Sequence, residues 1–318
     1  MMAVMALNFL KMHGLGNDFV IIDGRDNPVR LAAEQIRHMG DRRRGIGFDQ
    51  LILLENGGGG DKNGDNGDNG SRDGSDGNVV NIGNIGNKGH DGHGDHGHGG
   101  HGRGDPALFM TIYNPDGSEA GACGNATRCV ASLIMDESGS AACTIRTVAG
   151  LLYCTRAEKG RICVDMGAPR LEWDEIPLAE QCDTLSLPLE GSPVAVSMGN
   201  PHCVYFCGNA EDIAVDSLGP KVEHNPLFPE RTNVEYVSMQ GDNHLRMRVW
   251  ERGAGITQAC GTGACAAAVA AIRRGLADRA LPVCVTLDGG DLFIEWRESD
   301  DHVLMTGPAS FVYKGSIE

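Results

Sequence analysis

The chain has 318 residues, with 27 Lys and Arg against 43 Asp and Glu, a formal charge of −16 and eleven cysteines. The length suits two domains at roughly 100 to 200 residues each, and the acidic balance disfavours nucleic acid or an anionic membrane surface as partner and favours a small molecule. With no signal-like leader, no apolar run near the ~18 residues of a membrane span and scattered cysteines that read as reduced thiols, a cytoplasmic protein is expected.

Near the start, "LNFLKMHGLGNDFVIID" carries apolar and β-branched residues on both sides of a Gly-rich turn, which predicts two strands joined at a loop holding Asn17. "LAAEQIRHMG" predicts a short helix closing at Gly40, and "FDQLILLE" predicts a strand. Composition then changes. The 49 residues 57–105 contain 19 Gly, 8 Asp, 7 Asn and 5 His. Such a segment has almost nothing to bury against its ordering entropy and is expected to be a disordered surface insertion. Its tail, "HDGHGDHGHGGHGRGD", offers imidazoles to a transition metal, but no fixed geometry follows; a solvated linker is the simpler reading, and no metal site is assigned.

"PALFMTIY" predicts a strand to Tyr113, followed by a turn at "NPDG" and a helix that begins at Cys123. The run "CTIRTVAGLLYCTRAEKGRICVDMG" is β-rich, with turns at Ala149-Gly150 and Lys159-Gly160. A comparable series of strands, a Cys-headed helix and closing strands fills the rest. This is an α+β pattern rather than the regular alternation of a doubly wound sheet. "GLGNDF" and "GIGFDQ" do not complete a dinucleotide fingerprint, and there is no Gly-rich phosphate loop.

The series repeats internally. "GACGNATRCVASLIM" around Cys123 and "QACGTGACAAAVAAIRR" around Cys260 have nearly the same form. Asn17 in "GNDFV" and Asn200 in "GNPHCV" precede them. Asn17 lies 106 residues before Cys123, or 57 once the 49-residue insertion is subtracted, and Asn200 lies 60 before Cys260. Asn114 and Glu251 each stand nine residues before a cysteine and directly after an aromatic. A duplicated half-molecule would set one cysteine from each half across a shared cleft.

A thiol at a helix N-terminus meets unpaired N–H groups and the positive end of the helix dipole, which favour thiolate. The same N–H groups suit a carboxylate. Two such termini facing each other would grip an α-carboxylate and place a thiol on each face of the α-carbon. Stereoinversion needs that arrangement, because one group removes a proton as the other delivers one. Cys129 and Cys265, inside the apolar helices, read as core residues. Each polar candidate also has a structural explanation: Asn17, Asn114 and Asn200 sit in turns, where Asn often serves the backbone, and Arg252 suits a surface ion pair.

The order of "MHGLGNDFVIID", "GFDQ", "YNPDGSEAGACGNATRC", "GNPHCV", "ERTNVEYV" and "VWERGAGITQACGTGACA" resembles the diaminopimelate epimerase family over nearly the whole chain outside the insertion. The resemblance implies two similar α/β domains, each a β-rich barrel-like sheet around a central apolar helix. It also implies a cofactor-independent, homodimeric enzyme that interconverts LL- and meso-diaminopimelate on the route to lysine and peptidoglycan. Residue by residue, it makes Cys123 and Cys260 the catalytic thiols and gives the reacting carboxylate to Gly124, Asn125, Gly261 and Thr262. Glu251 receives the reacting ammonium and Arg252 the far carboxylate. Asn17, Gln50, Asn114, Asn200 and Asn233 become polar substrate contacts, and His202 tunes the thiols together with Glu251. The halves are expected at residues 1–167 and 168–305, with 306–318 returning as a strand to the first. Ala126 departs from the family's usual Gly, which strains the site only if that position has positive φ. The alternatives are a proline or hydroxyproline racemase and, from another class, a thiol redox or metal-binding protein.

Overall fold

A computed structural model describes residues 6–56, 108–121 and 123–317. The insertion at 57–105 and its histidines lie outside the described residues. The first half runs β1 (Leu7–Gly14), β2 (Asn17–Asp23), α1 (Ala33–Gly40), β3 (Gln50–Asn56), β4 (Leu108–Tyr113), β5 (Glu119–Ala120), α2 (Gly124–Ser138), β6 (Ala142–Thr147), β7 (Gly150–Arg156) and β8 (Ile162–Asp165). The second runs β9 (Val194–Ser197), β10 (Pro201–Phe206), α3 (Val215–Glu223), β11 (Asn233–Gly241), β12 (His244–Glu251), β13 (Gly255–Ile256), α4 (Gly261–Arg273), β14 (Val283–Leu287), β15 (Gly290–Trp296) and β16 (Val303–Gly307). A last strand, β17 (Ser310–Ile317), pairs antiparallel with β1.

The pairings of the two halves correspond strand for strand. β1 and β9 pair antiparallel with β2 and β10, which pair in parallel with β3 and β11. β3 and β11 pair antiparallel with β4 and β12, and these in turn run parallel to β6 and β14. The closing hairpins β6–β7–β8 and β14–β15–β16 match as well, and β8 joins β16 to make one continuous sheet. α2 packs against β1, β2, β6, β7 and β8, and α4 against β9, β10, β11, β12, β14, β15 and β16. Each half therefore curls its strands around one helix.

The apolar runs follow from this layering. Successive strand residues face opposite sides. In β2, Phe19 and Ile21 join the core around α2, while Val20 and Ile22 join the core around α1. A strand covered on both faces needs no polar alternation, which is why "FVII" and "LILL" are unbroken. Burying each such large side chain contributes about 1.5–3 kcal/mol. α2 and α4 are buried along most of their length, and Cys129 and Cys265 are fully buried, as expected of core residues. Ala126 lies inside α2 and is absent from the positive-φ positions, so alanine imposes no backbone strain there.

Parallel pairing fixes equivalences between the halves. Phe19 faces Gln50 across β2 and β3, and His202 faces Asn233 across β10 and β11. Phe19 thus corresponds to His202, Gln50 to Asn233, and Ile52 to Glu235.

Candidate active site

Cys123 and Cys260 are the N-cap residues of α2 and α4, both with extended backbone. The first helical bonds run from Thr127 N to Cys123 O and from Ala264 N to Cys260 O. The amides just after each cysteine therefore precede the helical ladder and have no intrahelical acceptor.

The two helix N-termini converge. Asn125 donates through Nδ2 to Ala259 O at 3.1 Å and to Asn17 Oδ1 at 3.2 Å, tying the first turn of α2 to the residue before Cys260. Its Oδ1 is buried without a partner. Met305 of β16 fills the space behind both N-termini. A Cβ on Gly124 would stand 2.7 Å from Met305 Cε, and one on Gly261 would stand 2.9 Å from Met305 Sδ. A side chain after either cysteine would have to push the end of Met305 aside. Gly261→Ala is expected to lose about 1–3 kcal/mol through overpacking, and adding Met305→Ala should recover part of it. Urea denaturation reads both changes, and undiminished stability in the single variant would refute the packing argument.

A chain of side chains leads away from Cys260. Gly263 N donates to Cys260 Sγ at 3.4 Å, and Thr262 Oγ1 lies 3.6 Å from the same sulfur. Asn200 Nδ2 donates to Thr262 Oγ1 at 3.4 Å. Asn200 Oδ1 lies 3.0 Å from His202 Nε2, and His202 Nδ1 lies 2.6 Å from Glu235 Oε1. His202 and Glu235 are both fully buried.

The other candidates occupy equivalent strand ends. Asn17 opens β2 and donates to Asp49 Oδ2 at 2.8 Å. Gln50 opens β3 and donates to Asn114 Oδ1 at 3.2 Å, while Asn114 donates to Ser118 Oγ at 3.1 Å. Asn233 opens β11 with its amide engaged at both ends, donating to Pro201 O at 2.9 Å and accepting from Arg252 N at 3.0 Å. The exposed Arg252 side chain donates to Glu230 O at 3.0 Å. Glu251 ends β12 and accepts from the Thr257 hydroxyl.

The electrostatics reverse one expectation. Burial pushes the Cys123 thiol up to about 11, with the Glu251 charge adding, against the Ala126 and Asn125 N–H groups and the Arg128 guanidinium. Cys260 is raised well above the ordinary thiol value by burial and then by Glu251 and Glu235. Burial likewise raises Glu251 itself. Helix-terminal donors alone would favour thiolate; enclosure and two neighbouring carboxylates outweigh them. A thiolate formed against that resistance is a stronger base toward a weakly acidic C–H.

Sequence reasoning missed Glu235, Arg128 and Met305. The first two carried a signal: a carboxylate in the apolar strand "NVEYV" and a guanidinium in the apolar helix "TRCVASLIM". Among the described residues, no group of three or more His, Cys, Asp and Glu side chains is placed to hold a metal ion.

Comparison with known proteins identifies the fold and the family. Solved structures of a hydroxyproline epimerase from Agrobacterium vitis (TM-score 0.61, 12% identity, 100% of this chain and 94% of that one) and a PhzF-family phenazine biosynthesis protein from Bacillus anthracis (TM-score 0.59, 14% identity, 98% and 99%) share the fold. The chain is 46% identical to the diaminopimelate epimerase of Rhodospirillum centenum, over 98% of this chain and 93% of that one. It is 47% identical to that of Gluconobacter oxydans, over 98% and 99%. The family profile described as diaminopimelate epimerase matches residues 101–172 and 194–312. With a profile covering more than half its length and full-length relatives at this identity, the chain belongs to the diaminopimelate epimerase family.

Proposed function

We propose that the protein interconverts LL- and meso-2,6-diaminopimelate by a cofactor-independent two-base reaction, as a step in making lysine and peptidoglycan precursors. The observation that carries this reading is the convergence of two cysteine-headed helix N-termini on Met305 and Asn125. The reacting carboxylate sits against the amides of Gly124, Asn125, Gly261 and Thr262, where helix-terminal donors stabilise charge developing as the α-proton leaves. Glu251 takes the reacting ammonium. One of Cys123 and Cys260, as thiolate, removes the α-proton from its face, and the other, as thiol, delivers a proton to the opposite face. The products leave the two sulfurs with exchanged protonation, ready for the reverse reaction.

Arg252 binds the distal carboxylate as a two-pronged donor. Asn17, Gln50, Asn114, Asn200 and Asn233 supply amides that donate and accept around the distal amino-acid head. This polar equipment favours diaminopimelate over proline or hydroxyproline, which have no second zwitterionic end. Incubation with each amino acid in deuterium oxide tests the assignment. Deuterium entering diaminopimelate alone supports it, and deuterium in proline alone overturns it.

The halves are assigned to residues 1–167 and 168–305, with the strand after 306 returning to the first; the β17–β1 pairing supports that return. Among the described residues no helix is long and apolar enough to cross a membrane. Eleven free cysteines fit a reducing cytoplasm. We assign a homodimer joined through β17, which pairs on one side with β1 and exposes Phe311 at 57% and Val312 at 51%. Phe311→Asp with Val312→Asp is expected to give a single-chain mass in sedimentation equilibrium. A dimer that persists would rule out β17 as the interface.

A further inference from the structure

The duplicated fold contains its own control for the polar pair beside Cys260. In the first half, the positions equivalent to His202 and Glu235 are Phe19 and Ile52, both fully buried in the core around α2. The architecture is thus satisfied by two apolar side chains at this point. Period-two alternation puts Glu235 on the same face of β11 as Val237, which belongs to the core around α4, whereas Val234 and Tyr236 face the α3 side. A carboxylate there costs desolvation that an isoleucine would not. Its Oε2 has no hydrogen-bond partner. Oε1 lies 2.6 Å from His202 Nδ1 and 2.8 Å from where a Gly263 Cβ would stand, and that Cβ would in turn be 3.2 Å from Cys260 Sγ. The glycine leaves the carboxylate room beside the thiol.

We propose that Glu235 is a positioning residue for the reaction: it fixes the His202 ring so that Nε2 meets Asn200, whose amide sets the Thr262 hydroxyl beside Cys260. This inference rests on the reading of Cys260 as a proton-transfer group. Glu235 Oε1 accepts from Nδ1–H at 2.6 Å and Asn200 Oδ1 accepts from Nε2–H at 3.0 Å, so the ring as placed donates at both nitrogens, with the carboxylate as its counter-charge. With the ring fixed, Asn200 presents Oδ1 to His202 and Nδ2 to Thr262, and the threonine hydroxyl is held toward the sulfur. Two carboxylates, Glu235 from β11 and Glu251 from the end of β12, then face this thiol, with His202 of β10 beside the first. A glutamine at 235 keeps the shape and removes the charge, leaving a ring that donates at both nitrogens without its counter-charge.

The test compares Glu235→Gln, His202→Asn and the double variant with the wild type, using diaminopimelate and full-length protein. Glu235→Gln is expected to lower kcat by about one to two orders of magnitude, roughly the free energy of one hydrogen bond to a charged group, with KM little changed. Because Glu235 acts through His202, the double variant should be no slower than His202→Asn alone. Iodoacetamide labelling followed by mass spectrometry supplies a readout that a merely structural role would not move. Removing the Glu235 charge should shift labelling of Cys260 to lower pH and leave the Cys123 profile in place. His202→Phe with Glu235→Ile, copied from the first half, should melt at or above the wild-type temperature and be inactive. Wild-type kcat in Glu235→Gln would overturn the proposal, as would losses that add in the double variant or equal shifts in both labelling profiles. Failure of the two-base reading itself would look different, because Cys260→Ala would then keep its turnover.

Discussion

Replacing either Cys123 or Cys260 with alanine is expected to lower epimerisation by about 10³-fold or more, within the range for losing a positioned acid or base. The more informative result is isotopic. A variant with one thiol can still take an α-proton from the face it serves and return a solvent deuteron to that face. Each single variant should therefore incorporate deuterium into one epimer without inverting it, and the two variants should select opposite epimers. Folding is not at issue. Each change removes one sulfur at a helix N-cap, and the bond from Gly263 N to Cys260 Sγ is long at 3.4 Å. Melting temperatures should stay close to wild type. Deuterium entering both epimers in either variant would mean that one residue serves both faces, and the two-base assignment would fall. Full epimerisation in either variant would remove that cysteine from the reaction.

The cysteine-headed helix starts were legible because the chain repeats itself. Two Ala-Cys-Gly elements at matched spacing from Asn17 and Asn200 mark equivalent helix N-termini, and each cysteine caps its helix with extended backbone. Local strands and helices were legible for a different reason: runs such as "FVII" and "LILL" are apolar on both faces, since α1 and α2 cover opposite sides. What the sequence did not yield is which residue stands behind which. Met305 is 44 residues beyond Gly261 in sequence, yet it packs against the first residue of both central helices. Its position depends on the β8–β16 pairing that joins the halves, a contact between strands far apart in the chain. The acidity of the thiols was misjudged because helix-end donors are visible in a sequence and burial is not. Glu235 becomes noticeable once the register aligns it with Ile52, and the same comparison marks Arg128, which occupies the place of Cys265 at the fifth position after the cysteine.

Arg128→Met should separate stability from activity. The arginine is fully buried, with Nε donating to Pro308 O at 3.2 Å, Nη1 meeting Met305 Sδ at 3.5 Å and Nη2 without a partner. Burial pushes its pKa below the ordinary arginine value, against the nearby Cys129, Cys123 and Cys265 sulfurs. An interior guanidinium so poorly compensated carries a desolvation penalty of several kcal/mol, and apolar replacement of buried charges is often neutral or stabilising by about 1–4 kcal/mol. The melting temperature should hold or rise. On the proposed two-thiol reading, activity should fall, because the guanidinium favours the Cys123 thiolate and would add positive potential behind the α2 N-terminus, where that reading places the reacting carboxylate. A loss of about 10²-fold in kcat/KM is expected, comparable to removing one donor from an oxyanion site. The loss must be equal in both directions, since the equilibrium between the epimers fixes the ratio of forward to reverse kcat/KM. The sign at the thiols distinguishes this effect from a packing defect. Without the cation, Cys123 holds its proton more tightly and should label with iodoacetamide only at higher pH, opposite to the downward shift expected at Cys260 in Glu235→Gln. Arg128→Lys, which keeps the charge, should retain much of the Cys123 profile. Unchanged turnover in a more stable Arg128→Met protein would show that the buried cation has no part in catalysis. On the proposed two-thiol reading, a cation near Cys123 and the Glu235 carboxylate near Cys260 act in opposite senses on the two thiols, so two structurally equivalent halves would offer the substrate unequal ends.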